Sequence, residues 1–110
     1  MNQQDLFEFH EAMTGKALRL CKRKNNDYAS GGTAGENPFA NFSRVEDMGI
    51  TSTEQGFLVR MTDKMSRLST FTKAGKLEVS DESVEDTLLD LINYSVLFAA
   101  YLHQKRESND

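Results

Sequence analysis

Acidic residues interrupt an otherwise apolar helical run near the carboxyl end of this 110-residue chain. At about 100° per residue, four polar residues fall within a wedge of roughly 80° on one helix face: Glu82, Asp86, Asp90 and Asn93. The other faces carry apolar residues, including Leu88, Leu89, Leu91, Ile92, Val96, Phe98 and Leu102. A helix that is apolar on nearly all sides is normally buried, and ionised carboxylates facing a bundle interior are costly unless they are paired. The pattern therefore predicts a buried helix whose acids serve a binding site.

Length and composition fit one small globular domain over residues 1–110. A core of this size is small, and the apolar last helix indicates that oligomerisation completes the bundle. The formal net charge of −4 argues against a long nucleic acid as the main partner. One cysteine and two distant histidines make a zinc site unfavourable.

The amino terminus lacks a basic region followed by an apolar core, so we expect no secretory signal. The most hydrophobic run, from Leu88 to Leu102, contains Asp90 and Asn93 and is too short to span a bilayer. Cys21 has no partner for an intramolecular disulfide, which is consistent with a reducing compartment. We therefore expect a cytoplasmic protein without a membrane partner.

Hydrophobic periodicity predicts about four helices and no strand, an all-α fold. The first helix is expected over residues 4–23, and a turn-rich loop over residues 25–35. Asn37 as the N-cap and Pro38 at the first helical position predict a short helix over residues 38–48. Gly49 is suited to end that helix.

Thr51 and Glu54 have capping-box spacing and predict a long helix over residues 52–75. Ser80 or Asp81 is expected to cap the last helix, which extends to about Lys105. The connector between these two helices is short, so they should be antiparallel neighbours.

The helix over residues 52–75 has an apolar face and a charged stripe. The apolar face is expected to comprise Phe57, Leu58, Met61, Met65, Leu68 and Phe71, and the stripe comprises Arg60, Asp63, Lys64 and Arg67. Packing against the last helix places three cations beside its acids. Magnesium prefers carboxylate and phosphate oxygens, so the acids could hold the metal while Lys64 and Arg67 neutralise a phosphate group. Metal-activated water could then attack a phosphoanhydride.

The segment from Glu82 to Asn93 resembles the third-helix motif of the MazG-like all-α nucleotide pyrophosphohydrolases, roughly E-E-L-G-D-L-L-F-x-x-V-N. Asp86 falls on the motif aspartate and Asn93 on its asparagine. A closer resemblance, over residues 20–103, is to the small phage and bacterial nucleotide-modification-associated domains. It rests on Lys24-Asn-Asn-Asp27-Tyr28, Asn37-Pro-Phe-Ala-Asn41-Phe42, Asp63-Lys64-x-x-Arg67 and Asp86-Thr-Leu-Leu-Asp90-Leu-Ile-Asn93-Tyr94.

The resemblance implies a dimeric or tetrameric, Mg²⁺-dependent (or Mn²⁺-dependent) pyrophosphohydrolase acting on nucleoside triphosphates, including deoxynucleotides, in phage or bacterial nucleotide metabolism. Asp63, Glu82 and Asp86 would be the catalytic metal ligands, with Asp90 as a further ligand. The substrate contacts would be Lys24, Asp27, Tyr28, Asn41, Arg60, Lys64, Arg67, Asn93 and Tyr94. Two departures stand out: the Glu-x-x-Glu pair of the MazG-like second helix is absent, and Ser83 replaces the glutamate three residues before Asp86.

The same residues allow other interpretations. Acids in a first helical turn complement the helix dipole, and the stripe around Lys64 could be a solvated face. Asp90 and Asn93 lie deeper in the helix, where they would serve a site or pair with Arg60 or Arg67. The incomplete acid set favours an alternative function: a non-catalytic module that binds a nucleotide, a signalling molecule or a host protein on the same fold. A structural oligomer with buried ion pairs is a third possibility.

Overall fold

The computed structural model describes residues 1–29, 37–75 and 83–109 of the chain. These residues form four helices and no strand, which confirms the all-α prediction: α1 (Gln3–Ala29), α2 (Ala40–Asp47), α3 (Thr53–Ala74) and α4 (Val84–Asn109). Helix α4 is central, because α1 and α3 each pack against it, and α2 packs on α3. None of the described helices is long and apolar enough to cross a membrane.

Helix α1 continues to Ala29, six residues beyond its predicted end. The predicted loop was wrong at its start, because Asn and Asp were read as turn residues although no Gly or Pro stands between Arg23 and Ala29. In a helix interior Asn and Asp cost only about 0.7 kcal/mol relative to Ala, and tertiary contacts can supply that amount. Lys24 makes such a contact with α4.

Helix α2 begins at Ala40, two residues later than predicted. The Asn37 side chain accepts a hydrogen bond from the Phe39 N–H at 3.0 Å, and the Asn37 carbonyl accepts one from Ala40 at 3.2 Å. Asn37 therefore caps a turn that leads into the helix. The predicted end at Gly49 is confirmed: its φ is +75°, a conformation that glycine adopts without steric cost.

Helix α3 is capped by Ser52, whose hydroxyl accepts a hydrogen bond from the Gln55 N–H at 3.1 Å. The predicted cap at Thr51 is wrong by one residue, because the Thr51 N–H donates to the Val45 carbonyl and completes the end of α2. The predicted end at Gly75 is confirmed, with φ at +75°.

Helix α4 begins at Val84, and Ser83 rather than Ser80 or Asp81 is its cap. The Asp86 N–H donates to the Ser83 hydroxyl at 3.0 Å, and the Ser83 N–H donates to the Asp86 carboxylate at 3.1 Å. This reciprocal capping box satisfies two N–H groups that the helix itself leaves unpaired. The predicted connector over residues 76–80 lies outside the described residues.

The core is an aromatic cluster where α2 and α3 meet the second half of α4. Phe57 is fully buried, and its ring is stacked between those of Phe42 and Phe98, with centroids 4.0 and 4.6 Å away. Gly56 lets α2 approach α3, because a Cβ at this position would lie 2.6 Å from the Phe42 carbonyl oxygen. The aromatic rings thus fix α2 against α3 and α4.

The predicted apolar face of α3 is only partly buried. Phe57 is in the core, but Leu58 is 49% exposed and Met65 is 56% exposed. Within the described part of the chain, α3 packs extensively against α2 and α4, and these helices leave the two side chains about half exposed. The radius of gyration, 16.0 Å, also exceeds the value of about 13 Å typical of a compact domain near this length.

Candidate functional site

A cavity of about 160 Å³ lies beside α4, where α1, α2 and α3 converge. Its walls combine two cations, a carboxylate, three amides and two aromatic rings with smaller apolar groups. The lining residues are Cys21, Lys24 and Asn25 from α1, Pro38, Asn41 and Phe42 from the α2 region, Arg60 from α3, and Asp90, Asn93, Tyr94 and Leu97 from α4.

Helical spacing explains how these side chains reach one cavity. The α4 contributors lie at i, i+3, i+4 and i+7, and the α1 contributors at i, i+3 and i+4, so each set shares one helix face. Six of the predicted site residues are brought together here: Lys24, Asn41, Arg60, Asp90, Asn93 and Tyr94.

Asp90 joins three helices through two ion pairs. Its Oδ1 atom lies 3.0 Å from the Lys24 Nζ atom, and its Oδ2 atom lies 3.1 Å from the Lys64 Nζ atom. The side chains of Asp90 and Lys64 are 12% and 13% exposed, whereas that of Lys24 is 49% exposed. A buried carboxylate needs such partners because leaving water is costly for a charge. Of the two alternatives for Asp90, a site role or a pair with Arg60 or Arg67, the arginine pair is not observed, because its ion-pair partners are Lys24 and Lys64.

Arg60 reaches the cavity from α3. Its guanidinium carbon lies 5.7 Å from the centre of the Phe42 ring, within the range of a cation–π contact. This contact leaves the guanidinium hydrogens available to a ligand in the cavity. Tyr94 meets the same ring edge to face, with centroids 5.6 Å apart.

Of the three predicted metal ligands that the structure describes, Asp90 lines this cavity, whereas Asp63 and Asp86 do not. Asp63 is exposed and lies 3.5 Å from Arg67 on its own helix, and neither residue lines the cavity. Asp86 is in the capping box of α4, where hydrogen bonds from the Ser83 backbone and hydroxyl lower its pKa. Within residues 1–25, 37–75 and 83–108, no three His, Cys, Asp or Glu side chains are placed to share a metal. Glu82 lies outside the described residues, so the four-residue ligand set stays a prediction.

Among the described residues at the cavity the net charge is positive, although the whole chain carries −4. Lys24 and Arg60 on the wall supply two positive charges and Asp90 one negative charge, and Lys64, which pairs with Asp90 from outside the wall, adds a further positive charge. Asn41 and Asn93 add amides that can both donate and accept hydrogen bonds. The site is therefore suited to an anionic ligand that also carries a planar polar ring.

Sequence reasoning missed five lining residues: Cys21, Asn25, Pro38, Phe42 and Leu97. Phe42 was named as part of a family motif, and it serves both core and cavity. Asn25 was assigned to a loop, although its spacing from Cys21 places both on one face once α1 is extended. The side chains of Asp27 and Tyr28, also predicted as substrate contacts, lie outside the described residues.

These features define a class: a small all-α protein whose helices surround a polar, cationic cavity. The sequence model of the family described as nucleotide modification associated domain 1 matches residues 40–101, more than half of the chain. The chain belongs to this family. No curated protein and no solved structure matches it. The matched residues include the α2, α3 and α4 contributors to the cavity from Asn41 onwards, whereas Lys24 lies before them.

Proposed function

We propose that the protein binds a nucleoside triphosphate in the cavity beside α4. The observation that carries this proposal is the positive charge of a cavity that also holds three amides and two aromatic rings. Cations bind phosphate oxygens, and aromatic and amide side chains recognise bases by stacking and hydrogen bonding. A volume of about 160 Å³ is smaller than the 300 Å³ or more typical of sites that enclose a whole drug-sized ligand. Part of the nucleotide would therefore extend beyond the cavity.

We further propose that the bound triphosphate is hydrolysed to a monophosphate and pyrophosphate with Mg²⁺. The support is the resemblance of the α4 motif to the MazG-like group together with membership of the nucleotide-modification-associated family. Asp63, Glu82 and Asp86 are the proposed metal ligands. Both oxygens of Asp90 face ammonium groups, so its carboxylate is not among the ligands we propose.

A non-catalytic binding module is the second candidate. It is favoured by one observation, which is that the described carboxylates occupy separate places: Asp63 beside Arg67, Asp86 in a helix cap and Asp90 between lysines. A protein of this kind would bind nucleotides through the same cations and release no product.

Pyrophosphate release from a panel of nucleoside and deoxynucleoside triphosphates, with Mg²⁺, Mn²⁺ or a chelator, tests the two candidates. Binding is measured in parallel by the ligand-induced rise in melting temperature. The pyrophosphohydrolase predicts metal-dependent release that disappears in Asp86→Asn, since Asn keeps the capping oxygen and removes the charge. Glu85→Gln, at an exposed neighbouring carboxylate, is the control. Binding without release establishes the module, and the absence of both defeats the nucleotide proposal.

We also propose that two copies of the chain associate through α1 and α4. An apolar groove between these helices is lined by Leu6, Phe9, Met13, Leu88, Leu91, Ile92 and Val96, with His10, Thr14 and Ser95. Helix α1 has 27 residues, yet Ala17 is the only one among its described side chains that is buried. A large exposed apolar face is typical of an interaction site, and a second copy would cover this groove because its own α1–α4 face is the same surface.

Light scattering coupled to size-exclusion chromatography tests the association. Val96→Glu, in the groove, should yield monomers. Val59→Glu is the matched control, because Val59 is similarly exposed, at 66% against 61%, but lies on α3 outside the groove. A wild-type monomer at tens of micromolar would contradict the proposal.

A further inference from the structure

The two lysines that meet at Asp90 differ in their surroundings. Lys24 lines the cavity, and its side chain is 49% exposed. Lys64 approaches the other carboxylate oxygen, is 13% exposed and does not line the cavity. The two lysines carry the same charge, but they differ in burial and in position relative to the cavity.

We propose that Lys24 is the cation that contacts the phosphate of the ligand, and that Asp90, held by Lys64, is a positioning residue that keeps Lys24 at the cavity wall. The inference rests on the proposed nucleotide function and specifies how its site works. Lys64 was expected from the sequence to neutralise a phosphate group. Because Lys64 does not line the cavity, the proposed phosphate contact is Lys24.

The physical argument starts from what happens when a phosphate enters. An exposed ion pair is weak because water screens it, so Lys24 can exchange the Asp90 oxygen for a phosphate oxygen at little cost. Asp90 stays neutralised by Lys64 during this exchange. If Lys64 moved instead, a buried carboxylate would keep only its solvent-exposed partner, which is unfavourable.

The arrangement also accounts for the placement of the acid inside a cationic site. Without Asp90, the ammonium groups of Lys24 and Lys64 would repel each other, and the ion pair that joins Lys24 to α4 would be lost. With Asp90 between them, Lys24 is held 3.0 Å from the carboxylate and beside Asn93 and Tyr94 in the cavity wall. Preorganising a long flexible side chain lowers the entropy cost of binding a ligand.

Four variants separate the two lysines: Lys24→Met, Lys64→Met, the double variant Lys64→Met/Asp90→Asn, and the control Lys16→Met. Met keeps the unbranched stem and removes the charge. Lys16 is a suitable control because it also joins α1 to α4, through its Nζ atom 3.1 Å from Glu85. Unlike the pair of Lys64 and Asp90, both side chains of this pair are about half exposed. Inorganic triphosphate and a nucleoside triphosphate serve as probes of affinity, and melting temperature reports stability.

Lys24→Met should weaken triphosphate affinity about tenfold or more, as expected for a lost hydrogen bond between charged groups, with a melting temperature close to that of the wild type. Lys64→Met should lower the melting temperature by more than about 10 °C, because it leaves Asp90 buried without its closest buried partner. Lys16→Met should change neither quantity.

The double variant distinguishes positioning from a purely structural role. It removes both charges of the buried pair, so its melting temperature should recover most of the loss seen in Lys64→Met. Its triphosphate affinity should nevertheless fall as far as in Lys24→Met, since the ion pair between Lys24 and Asp90 is gone, and adding Lys24→Met to it should cause little further loss. Asp90→Glu retains the negative charge beside Lys24, so this variant should bind triphosphate more tightly than the double variant does.

Three results among the variants would overturn the inference: wild-type triphosphate affinity in Lys24→Met, wild-type triphosphate affinity in the double variant, or equal losses of melting temperature in Lys24→Met and Lys64→Met. Wild-type protein that binds inorganic triphosphate but no nucleotide would defeat the proposed function and leave the Lys24 assignment standing. Wild-type protein that binds neither probe would overturn both.

Discussion

The ring of Phe42 stacks on the ring of Phe57, with centroids 4.0 Å apart and 11° between the two planes. Phe57 is fully buried in the core, whereas Phe42 also lines the cavity and carries the Arg60 guanidinium on its ring. One pair of rings therefore connects the packing of the bundle to the wall of the candidate site. Changes in the core at Phe57 should reach the cavity through this contact.

Phe57→Ala should be among the most destabilising single changes in the chain. It removes a ring that contacts Phe42 and Phe98 from both sides and leaves a cavity, so we expect a loss of about 3 to 5 kcal/mol in the free energy of unfolding. Urea denaturation monitored by circular dichroism measures this loss. Phe7→Ala, at a ring that is 59% exposed, is the control and should cost much less. Equal losses in the two variants would argue against the observed core.

Gly56→Ala should destabilise the packing of α2 on α3. The added Cβ would lie 2.6 Å from the Phe42 carbonyl oxygen and 3.0 Å from the Val45 Cγ2 atom, so backbone would have to move. We expect a cost of about 1 to 3 kcal/mol. Gly15→Ala in α1 is the matched control: its nearest neighbour is the flexible end of Arg19 at 3.4 Å, and the change should be neutral or stabilising because Ala favours helix. Thermal unfolding compares the two, and a neutral Gly56→Ala would contradict the close approach.

The fold was predictable because apolar periodicity marks helices, but their first residues were harder to predict. Thr51 and Ser52 are adjacent residues with good capping chemistry, and the difference between them is a hydrogen bond from Thr51 to Val45 in the preceding helix. Leu58 and Met65 lie on the predicted apolar face of α3 and are about half exposed, because periodicity indicates an apolar face and not what covers it.

Ser83→Ala should destabilise α4 by about 1 kcal/mol, the usual cost of losing a side-chain cap. The hydroxyl of Ser83 accepts a hydrogen bond from the Asp86 N–H, which no residue inside the helix can replace. Chemical denaturation measures the loss. The control is Ser108→Ala, where an exposed hydroxyl only donates to the Gln104 carbonyl of its own helix, and this change should have almost no effect. A cost as small as that of the control would mean that Ser83 is not the cap.

The pair of Glu54 and Lys105 predicts a pH dependence of stability in the acid range. A hydrogen bond from Lys105, at 2.9 Å, is the largest cause that lowers the pKa of Glu54 from its ordinary 4.5. Because the folded pKa is lower than the unfolded one, this stabilisation is present above pH 4.5 and is lost as the pH falls through the folded pKa. Both side chains are partly exposed, so the effect should be below about 1 kcal/mol.

Melting temperatures of the wild type and Glu54→Gln, measured from neutral pH down to pH 3, test this pair. The difference between the two proteins should be largest at neutral pH and should shrink below pH 4.5. Glu107→Gln is the control, since Glu107 is 69% exposed at the end of α4. A difference that grows as the pH falls would contradict the sign of the pKa shift.

About half of the candidate site could be predicted from the sequence. Asp90 and Asn93 of α4 were predicted as site residues because they lie in an otherwise apolar helix. Burying a polar side chain there costs free energy unless it has a partner. The pairing of Asp90 with Lys24 could not be found, because it joins residues far apart in the chain and depends on α1 continuing past its predicted end. Asp63 and Asp86 each lie on the same helix face as predicted site residues. In the structure, however, Asp63 pairs with Arg67 and Asp86 is hydrogen-bonded to Ser83.

Calorimetric titration of the protein with a nucleoside triphosphate and with the matching nucleoside, at low and high salt, tests the central claim most directly. The cationic cavity predicts that the triphosphate binds about tenfold or more tightly than the nucleoside and loses affinity as salt rises, because its phosphates would contact Lys24 and Arg60. Arg60→Ala should weaken the triphosphate, whereas Arg19→Ala, outside the cavity, should not. Equal affinity for nucleoside and triphosphate, or no binding of either, would contradict the account.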